Sequence, residues 1–219
     1  MKTLAFIAGW GFDSRIWQPV VERLSGDFRI SDGLAPLPVD AIVCGWSLGA
    51  MRALRLASEA PARIGKLILV AATPRFVQAP DWPCAQPPEL LAGFSAAVAA
   101  DPQAALRRFA ALMNQGDSQA RDITRHMQAL WRERIPDEAT LAAGLAELGN
   151  TDLRNSAAAI SLPTLLIHGE RDPLVPPAAG RWLAQHLPAA KFESFADAAH
   201  APFIADPNRF VDLIREFCP

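Results

Sequence analysis

The sequence predicts an α/β fold with a mostly parallel sheet of about six strands, helices on both faces and an inserted helical segment. Short apolar runs bounded by turn residues alternate with stretches of helical periodicity, as in strand–helix–strand units. The alternation stops between Thr73 and Ala159, where a proline-rich stretch precedes helical patterns. We therefore expect a core made of residues 1–74 and 156–219, and a helical lid over residues 75–155.

The pattern of apolar residues places the strands and helices of the core along the chain. The predicted strands are the apolar runs at residues 4–8, 28–31, 41–44, 66–72, 164–168 and 191–195. The helices predicted to cover the sheet lie at residues 14–24, 48–58, 178–186 and 208–217. The runs at residues 4–8, 41–44 and 66–72 are mostly apolar, which is typical of strands covered on both faces.

Composition excludes several classes of protein. The chain has 219 residues, 51% hydrophobic and 20% charged, a profile typical of a globular domain. A net charge of −2 gives no indication of a nucleic acid or membrane partner for the whole chain, and no stretch approaches the roughly 20 apolar residues of a membrane span. The three cysteines have no metal-type spacing, and their odd number favours a reducing compartment. We expect a cytoplasmic protein without a metal or organic cofactor.

One short stretch points to chemistry. In "CGWSLG", Ser47 lies between Gly45 and Gly49, after a predicted strand and before a predicted helix. This is the G-x-S-x-G arrangement, in which a serine is held exposed on a strained turn. Because so short a pattern also occurs by chance, the alternative is an ordinary strand-to-helix turn.

A serine nucleophile needs a base and an orienting acid, in the chain order Ser, Asp or Glu, His. His200 lies on the loop after the last predicted strand, whereas the other histidines lie in the lid, in a helix or in a strand. Asp172 follows the preceding strand in a loop bounded by glycine and proline, and is the favoured acid. Asp197, only three residues before His200, is the rival, and Glu170 is expected to point away.

The developing negative charge on a reacting carbonyl oxygen needs two backbone donors. The N–H of Leu48, directly after the serine, is the expected first donor. The N–H of Trp10, in "AGWGF" after the first strand, is the candidate for the second. Gly9 and Gly11 allow that loop to fold close to Ser47.

With these motifs in order, the chain resembles the α/β-hydrolases and, among them, the pimeloyl-[acyl-carrier protein] methyl ester esterases of biotin synthesis. The resemblance is carried by "GWG", "GWSLG", "DWP", "LAGF", "RRFAALMNQGD", "TDLRNS", "LPTLLIHGERDPLVP" and "AAHAPFI". It implies a triad of Ser47, Asp172 and His200, backbone donors at Trp10 and Leu48, and a lid that contacts both the acyl chain and an acyl carrier protein.

The lid residues are interpreted in the light of this resemblance. Trp10, Trp82 and Phe109 are candidate contacts of the acyl chain, although core packing also explains Trp82 and Phe109. The resemblance places carrier contact on Arg108, Arg121 and Arg125, in a locally basic stretch that by itself is typical of a solvated helix. We expect a monomer that also accepts small esters.

Three departures and two alternatives remain. The first predicted strand leads directly to "AGWG", so we expect a sheet without the preceding antiparallel strands usual in the fold. Ala8 stands where a histidine is common, and the chain between Phe28 and Ala41 is shorter than in the family, which leaves one sheet edge less covered. The alternatives are a broad esterase, thioesterase or carbon–carbon bond hydrolase with the same triad, and a non-catalytic ligand-binding homologue. The substrate depends on the lid rather than on the fold.

Overall fold

A computed structural model describes residues 1–33 and 36–219 of the chain. Its centre is one six-stranded sheet in the order β2-β1-β3-β4-β5-β6, with all neighbouring strands parallel. The strands are β1 (Thr3–Ile7), β2 (Arg29–Asp32), β3 (Ala41–Trp46), β4 (Ile64–Val70), β5 (Thr164–Gly169) and β6 (Ala190–Phe195). The predicted parallel sheet is confirmed.

The helices of the described residues fall into two groups. Those around the sheet are α1 (Gln18–Leu24), α2 (Leu48–Glu59), α7 (Arg154–Ala157), α8 (Pro177–His186), α9 (Pro202–Ala205) and α10 (Pro207–Phe217). The others lie in the insertion: α3 (Pro88–Ala100), α4 (Pro102–Met113), α5 (Ala120–Glu133) and α6 (Glu138–Asn150). None of the helices in the described part is long and apolar enough to cross a membrane.

The predicted elements differ from the observed ones mainly at their ends. The strand predicted over residues 66–72 begins at Ile64 and ends at Val70, because Ala71 has a φ of 47° and leaves the extended conformation. The helix predicted over residues 14–24 is a short 3₁₀ turn, Ser14–Trp17, followed by α1. Pro19 at the start of α1 has no N–H to donate to the preceding turn, which accounts for this break.

The burial of the strands agrees with their sequences. Every residue of β1, β3 and β5 is buried, as expected for strands with helices on both faces. β2 is partly exposed at one edge of the sheet, and only residues 33–40 connect it to β3. Residues 34 and 35 in this shortened connection lie outside the described residues.

The inserted segment, which carries α3 to α6 between β4 and β5, enters and leaves the sheet domain at one place. The N–H of Leu153 donates to the carbonyl of Pro74 at 2.8 Å, and Arg75 forms an ion pair with Asp152, also at 2.8 Å. We name these paired residues, 74–75 and 152–153, the neck. The helices of the insertion lie beyond it, so they can cover the sheet edge without interrupting the sheet.

Candidate active site

Ser47 lies on a strained turn between β3 and α2. Its φ is 58° and its ψ is −119°, a backbone conformation that residues other than glycine rarely adopt. Its N–H donates to the carbonyl of Val70 at 2.9 Å. A Cβ atom at Gly45 would lie 2.3 Å from the carbonyl oxygen of Gly49, and one at Gly49 would lie 2.2 Å from that of Ile7. The backbone contacts therefore require both glycines, and they hold the serine in place.

The strain at Ser47 can be measured. We expect Ser47→Gly to raise the free energy of unfolding by about 1 kcal/mol, because glycine adopts positive φ without steric cost. Urea denaturation of wild type, Ser47→Gly and Ser47→Ala would show this, with alanine as the matched control that keeps the strained Cβ. Equal stability of the glycine and alanine variants would show that the turn stores no strain.

His200 and Asp172 form a buried pair at the carboxyl ends of β6 and β5. His200 Nδ1 lies 2.7 Å from Asp172 Oδ2, and both side chains are fully buried. The other oxygen, Oδ1, accepts the N–H groups of Leu174 and Val175, each at 2.9 Å. The carboxylate is thus fixed by its own loop and oriented towards the histidine ring.

The charge state of this pair defines what the histidine can do. Burial raises the pKa of the Asp172 carboxyl, but the electrostatic interaction and hydrogen bonding with the His200 and His168 rings outweigh it and hold the pKa well below its usual value. Asp172 is therefore a carboxylate at neutral pH, and Nδ1–H of His200 donates to it. Nε2 of His200 is buried and has no partner among the described residues, which leaves it free to accept a proton.

His200 lies on residues 196–201 between β6 and α9, which we name the histidine loop. This loop is in direct contact with the turn that carries Ser47. The indole Nε1 of Trp46, the residue before Ser47, donates to the carbonyl of His200 at 2.7 Å. The ring centroids of Trp46 and His200 are 5.6 Å apart. The fold therefore brings the loops of all three predicted triad residues to one edge of the sheet.

His168 also contacts the acid, a contact that sequence reasoning missed. Its Nε2 lies 2.9 Å from the carbonyl of Val175 and 3.5 Å from Asp172 Oδ2, and the ring is buried. A Cβ atom at Gly180 would lie 2.6 Å from His168 Nδ1, so the glycine leaves space for the ring. The only signal in the sequence is a histidine at the end of an apolar strand, four residues before the acid.

The rival acids lie elsewhere. Asp197 is largely exposed and pairs with Arg171, and Glu170 pairs with Arg181 at 2.6 Å. Neither carboxylate contacts the His200 ring in the described structure. The geometry therefore favours Asp172 over both.

The two predicted backbone donors follow neighbouring strands. Trp10 comes after β1 and Leu48 after β3, and these strands pair directly. Among the described residues, neither N–H donates to another protein group. Both are therefore available to a ligand oxygen, and their use as an oxyanion hole stays a prediction.

An aromatic cluster covers the Trp10 side of the site. The Trp10 ring meets Phe109 edge-on at 4.8 Å and Phe94 at 6.1 Å, and its Nε1 donates to the carbonyl of Leu141 at 2.8 Å. Phe94, on α3, was not singled out in the sequence. Trp82 instead packs against Trp182 of α8 at 5.2 Å, so its predicted contact with substrate has no support from its packing.

The three predicted carrier-binding arginines are exposed on the inserted segment. Arg121 and Arg125 lie one turn apart on α5, and Arg125 pairs with Asp122 at 2.9 Å while remaining three-quarters exposed. Arg108 borders a groove of about 290 Å³ between α3 and α4, to which Phe94 also contributes. The structure thus places Arg108 and Phe94 on the same groove.

Comparisons with known proteins agree with this architecture. A family model described as alpha/beta hydrolase fold matches residues 9–207. A pimeloyl-[acyl-carrier protein] methyl ester esterase from Nitrosomonas europaea is 38% identical, the match covering 95% of this chain and 92% of the relative. The chain belongs to this esterase family of α/β-hydrolases. A second member, from Aromatoleum aromaticum, is 36% identical, with coverage of 97% and 96%.

Solved structures show how widely the α/β-hydrolase fold is shared. An esterase from Exiguobacterium antarcticum superposes with a TM-score of 0.87 at 16% identity, covering 99% of this chain and 91% of its own. An enol-lactonase from Burkholderia xenovorans LB400 superposes with a TM-score of 0.84 at 22% identity, covering 99% and 90%. At such identities the likeness shows the fold alone.

Proposed function

We propose that this α/β-hydrolase is a serine esterase that hydrolyses the methyl ester of pimeloyl-[acyl-carrier protein] in biotin synthesis, releasing methanol. The observation that carries the proposal is the buried His200–Asp172 pair, with Nε2 free, in contact with the strained Ser47 turn. Membership in the esterase family supports the substrate. No cofactor is needed for this chemistry.

The geometry supports acyl transfer through a covalent intermediate. Ser47 Oγ attacks the ester carbonyl carbon while His200 Nε2 accepts the hydroxyl proton, and the Trp10 and Leu48 N–H groups hold the oxyanion. The tetrahedral intermediate collapses, and methanol leaves with the proton from His200. A water molecule, deprotonated by His200, then attacks the acyl-enzyme. His200 returns this proton to Ser47 Oγ as the bond to the acyl group breaks, and the free carboxylic acid is released.

The inserted segment acts as the lid over this site. Trp10 and Phe109, together with Phe94, form an apolar wall next to the proposed oxyanion donor at residue 10, which suits a methylene chain. Trp82 was predicted to belong to this wall, but it packs on the α8 side and is a weaker candidate. We propose that this lid comprises residues 75–155, a boundary supported by the neck at residues 74–75 and 152–153.

The acyl carrier protein docks on the lid arginines in this proposal. Arg108, Arg121 and Arg125 are exposed, and carrier proteins of this kind are acidic. Exposed charges mainly accelerate encounter and add about 1 kcal/mol or less each, with a strong dependence on salt. The carrier surface therefore affects KM rather than the chemistry at Ser47.

We expect the double variant Arg121→Glu with Arg125→Glu to raise KM for the carrier-bound ester several-fold and to flatten its salt dependence. Hydrolysis of a small free ester should be unchanged, because the substituted side chains are exposed and lie outside the triad. Steady-state kinetics at several salt concentrations would measure both effects.

The matched control is Lys2→Glu with Arg29→Glu, which changes net charge equally on exposed residues next to β1 and on β2. It should leave KM for the carrier-bound ester unchanged. If the lid variant lost activity on both substrates in parallel, its arginines would be structural and the docking surface would be wrong.

The identity of the substrate is tested by comparing the hydrolysis of three candidate substrates. Methyl pimeloyl-carrier protein, the free methyl ester and a pimeloyl thioester are compared by kcat/KM with one enzyme preparation. The proposal expects the highest kcat/KM for the carrier-bound methyl ester. Equal values for the methyl esters would favour a broad esterase, and a preference for the thioester would favour a thioesterase.

A further inference from the structure

The loop that carries His200 is attached to the inserted segment as well as to the sheet. Residues 113–118, which we name the α4–α5 turn, comprise the last residue of α4 and most of the connection to α5. The N–H of His200 donates to the carbonyl of Met113 at 3.3 Å, and the N–H of Ser118 donates to the carbonyl of Asp197 at 3.0 Å. The histidine's backbone is thus held by the insertion, while its ring is held by Asp172.

Asp117 makes the strongest of these attachments. It is 8% exposed, and its Oδ2 accepts the N–H of Ala199, the residue before His200, at 2.7 Å. Its Oδ1 accepts the N–H of Gln119 at 2.8 Å, within its own turn. One carboxylate therefore connects the start of α5 to the histidine loop, across a sequence separation of 82 residues.

This arrangement differs from helix capping elsewhere in the insertion. Asp101 and Asp137 also accept backbone N–H groups, but only from residues three positions ahead, and both are exposed. The Asp117 carboxylate is costly to disturb, because loss of its Oδ2 leaves the buried N–H of Ala199 without a partner. Of these three carboxylates, that of Asp117 alone contacts the loop that carries His200.

The loop has little freedom on its other side. A Cβ atom at Gly169, at the end of β5, would lie 1.9 Å from the carbonyl oxygen of Ala199. Arg171 adds a further link, since it donates to the carbonyl of Gly116 at 3.1 Å and pairs with Asp197. The histidine loop is therefore enclosed between the end of β5 and the α4–α5 turn.

We infer that Asp117 is a positioning residue for His200, through which the inserted segment sets the location of Nε2 relative to Ser47. The inference rests on the proposed function. It requires no contact between Asp117 and the substrate, because the carboxylate acts through the Ala199 backbone. A shift of about 1 Å in a catalytic group can lower the rate by as much as 100-fold, so a bond of this kind affects kcat.

Two substitutions separate the long-range bond from the local one. In Asp117→Asn the amide has one acceptor and one donor end, so it cannot accept from both N–H groups. In Asp117→Ser the short hydroxyl can still accept from Gln119 within the turn, but it cannot reach Ala199. Asp117→Ser should lower kcat for a small ester about 10- to 100-fold, with KM within about twofold of wild type. Asp117→Asn, whose amide oxygen can still face Ala199, should lower kcat less.

The measurement uses p-nitrophenyl acetate, with competent sites counted by stoichiometric labelling with a fluorophosphonate. Asp101→Asn is the matched control, since it alters a lid carboxylate that caps α4 and does not touch the histidine loop. It should retain the wild-type kcat per labelled site. Because kcat is expressed per labelled site, partial unfolding of a variant does not imitate a positioning effect.

The outcomes separate the two ideas. A wild-type enzyme that neither labels nor turns over would contradict the proposed function. An active wild type, with kcat per labelled site lowered more in Asp117→Ser than in Asp117→Asn and unchanged in Asp101→Asn, supports the positioning role. Wild-type kcat per labelled site in both Asp117 variants would overturn it and leave Asp117 a purely structural residue.

Discussion

Replacing Ser47 with alanine is expected to lower kcat for ester hydrolysis by about 10⁵- to 10⁶-fold, to the residual level that binding and oxyanion stabilisation provide. The hydroxyl is the proposed nucleophile, and no other group in the triad can form the acyl intermediate. The free energy of unfolding should change little, since alanine retains the Cβ atom in the strained turn and the serine is only half-buried.

Initial rates with p-nitrophenyl acetate and thermal unfolding would test both statements. Ser58→Ala is the matched control, because Ser58 also lies on α2 and its Oγ donates only to the carbonyl of Arg55. This control should retain normal turnover. Substantial turnover by Ser47→Ala would refute the nucleophile assignment, whatever the other variants show.

Asp172→Asn is expected to lower kcat by about 10⁴-fold. The Asn Oδ1 or Nδ2 atom would face His200 Nδ1 without negative charge, so the ring would be free to adopt the tautomer that protonates Nε2 and cannot accept the serine proton. The loop should be retained, because an amide oxygen can still accept from the N–H groups of Leu174 and Val175.

Asp197→Asn provides the comparison. Asp197 is largely exposed and pairs with Arg171, so its substitution should change kcat less than about threefold, as is usual for an exposed ion pair. Kinetics of the two variants measured side by side would rank the acids. The opposite ranking would assign the orienting role to Asp197.

The sequence was sufficient for the parts of the site that depend on local patterns. Gly45, Ser47 and Gly49 form a recognisable turn because the backbone crowding that requires them is local to one strand and one helix. Asp172 and His200 could be selected because loops after parallel strands converge at one edge of the sheet. The two side chains lie 2.7 Å apart in the structure, and their roles in the reaction stay a prediction.

Other features depend on contacts that no local pattern encodes. Nothing in the sequence around Asp117 indicates its bond to Ala199, which exists only because the inserted segment folds back over the sheet. The role of Phe94 could not be predicted for the same reason, since its packing against Trp10 depends on the position of α3 in the folded protein. The end of β4 could not be predicted because alanine gives no signal of the positive φ at Ala71.

The neck has a consequence for how such enzymes diversify. A segment whose ends meet at 2.8 Å could be exchanged for one from another hydrolase without altering the order of the strands. Such an exchange would change the choice of substrate. The bond between Asp117 and Ala199 restricts that freedom. A transplanted segment must also supply a partner for the histidine loop, so recombination that preserves only the neck would yield proteins that fold but turn over slowly.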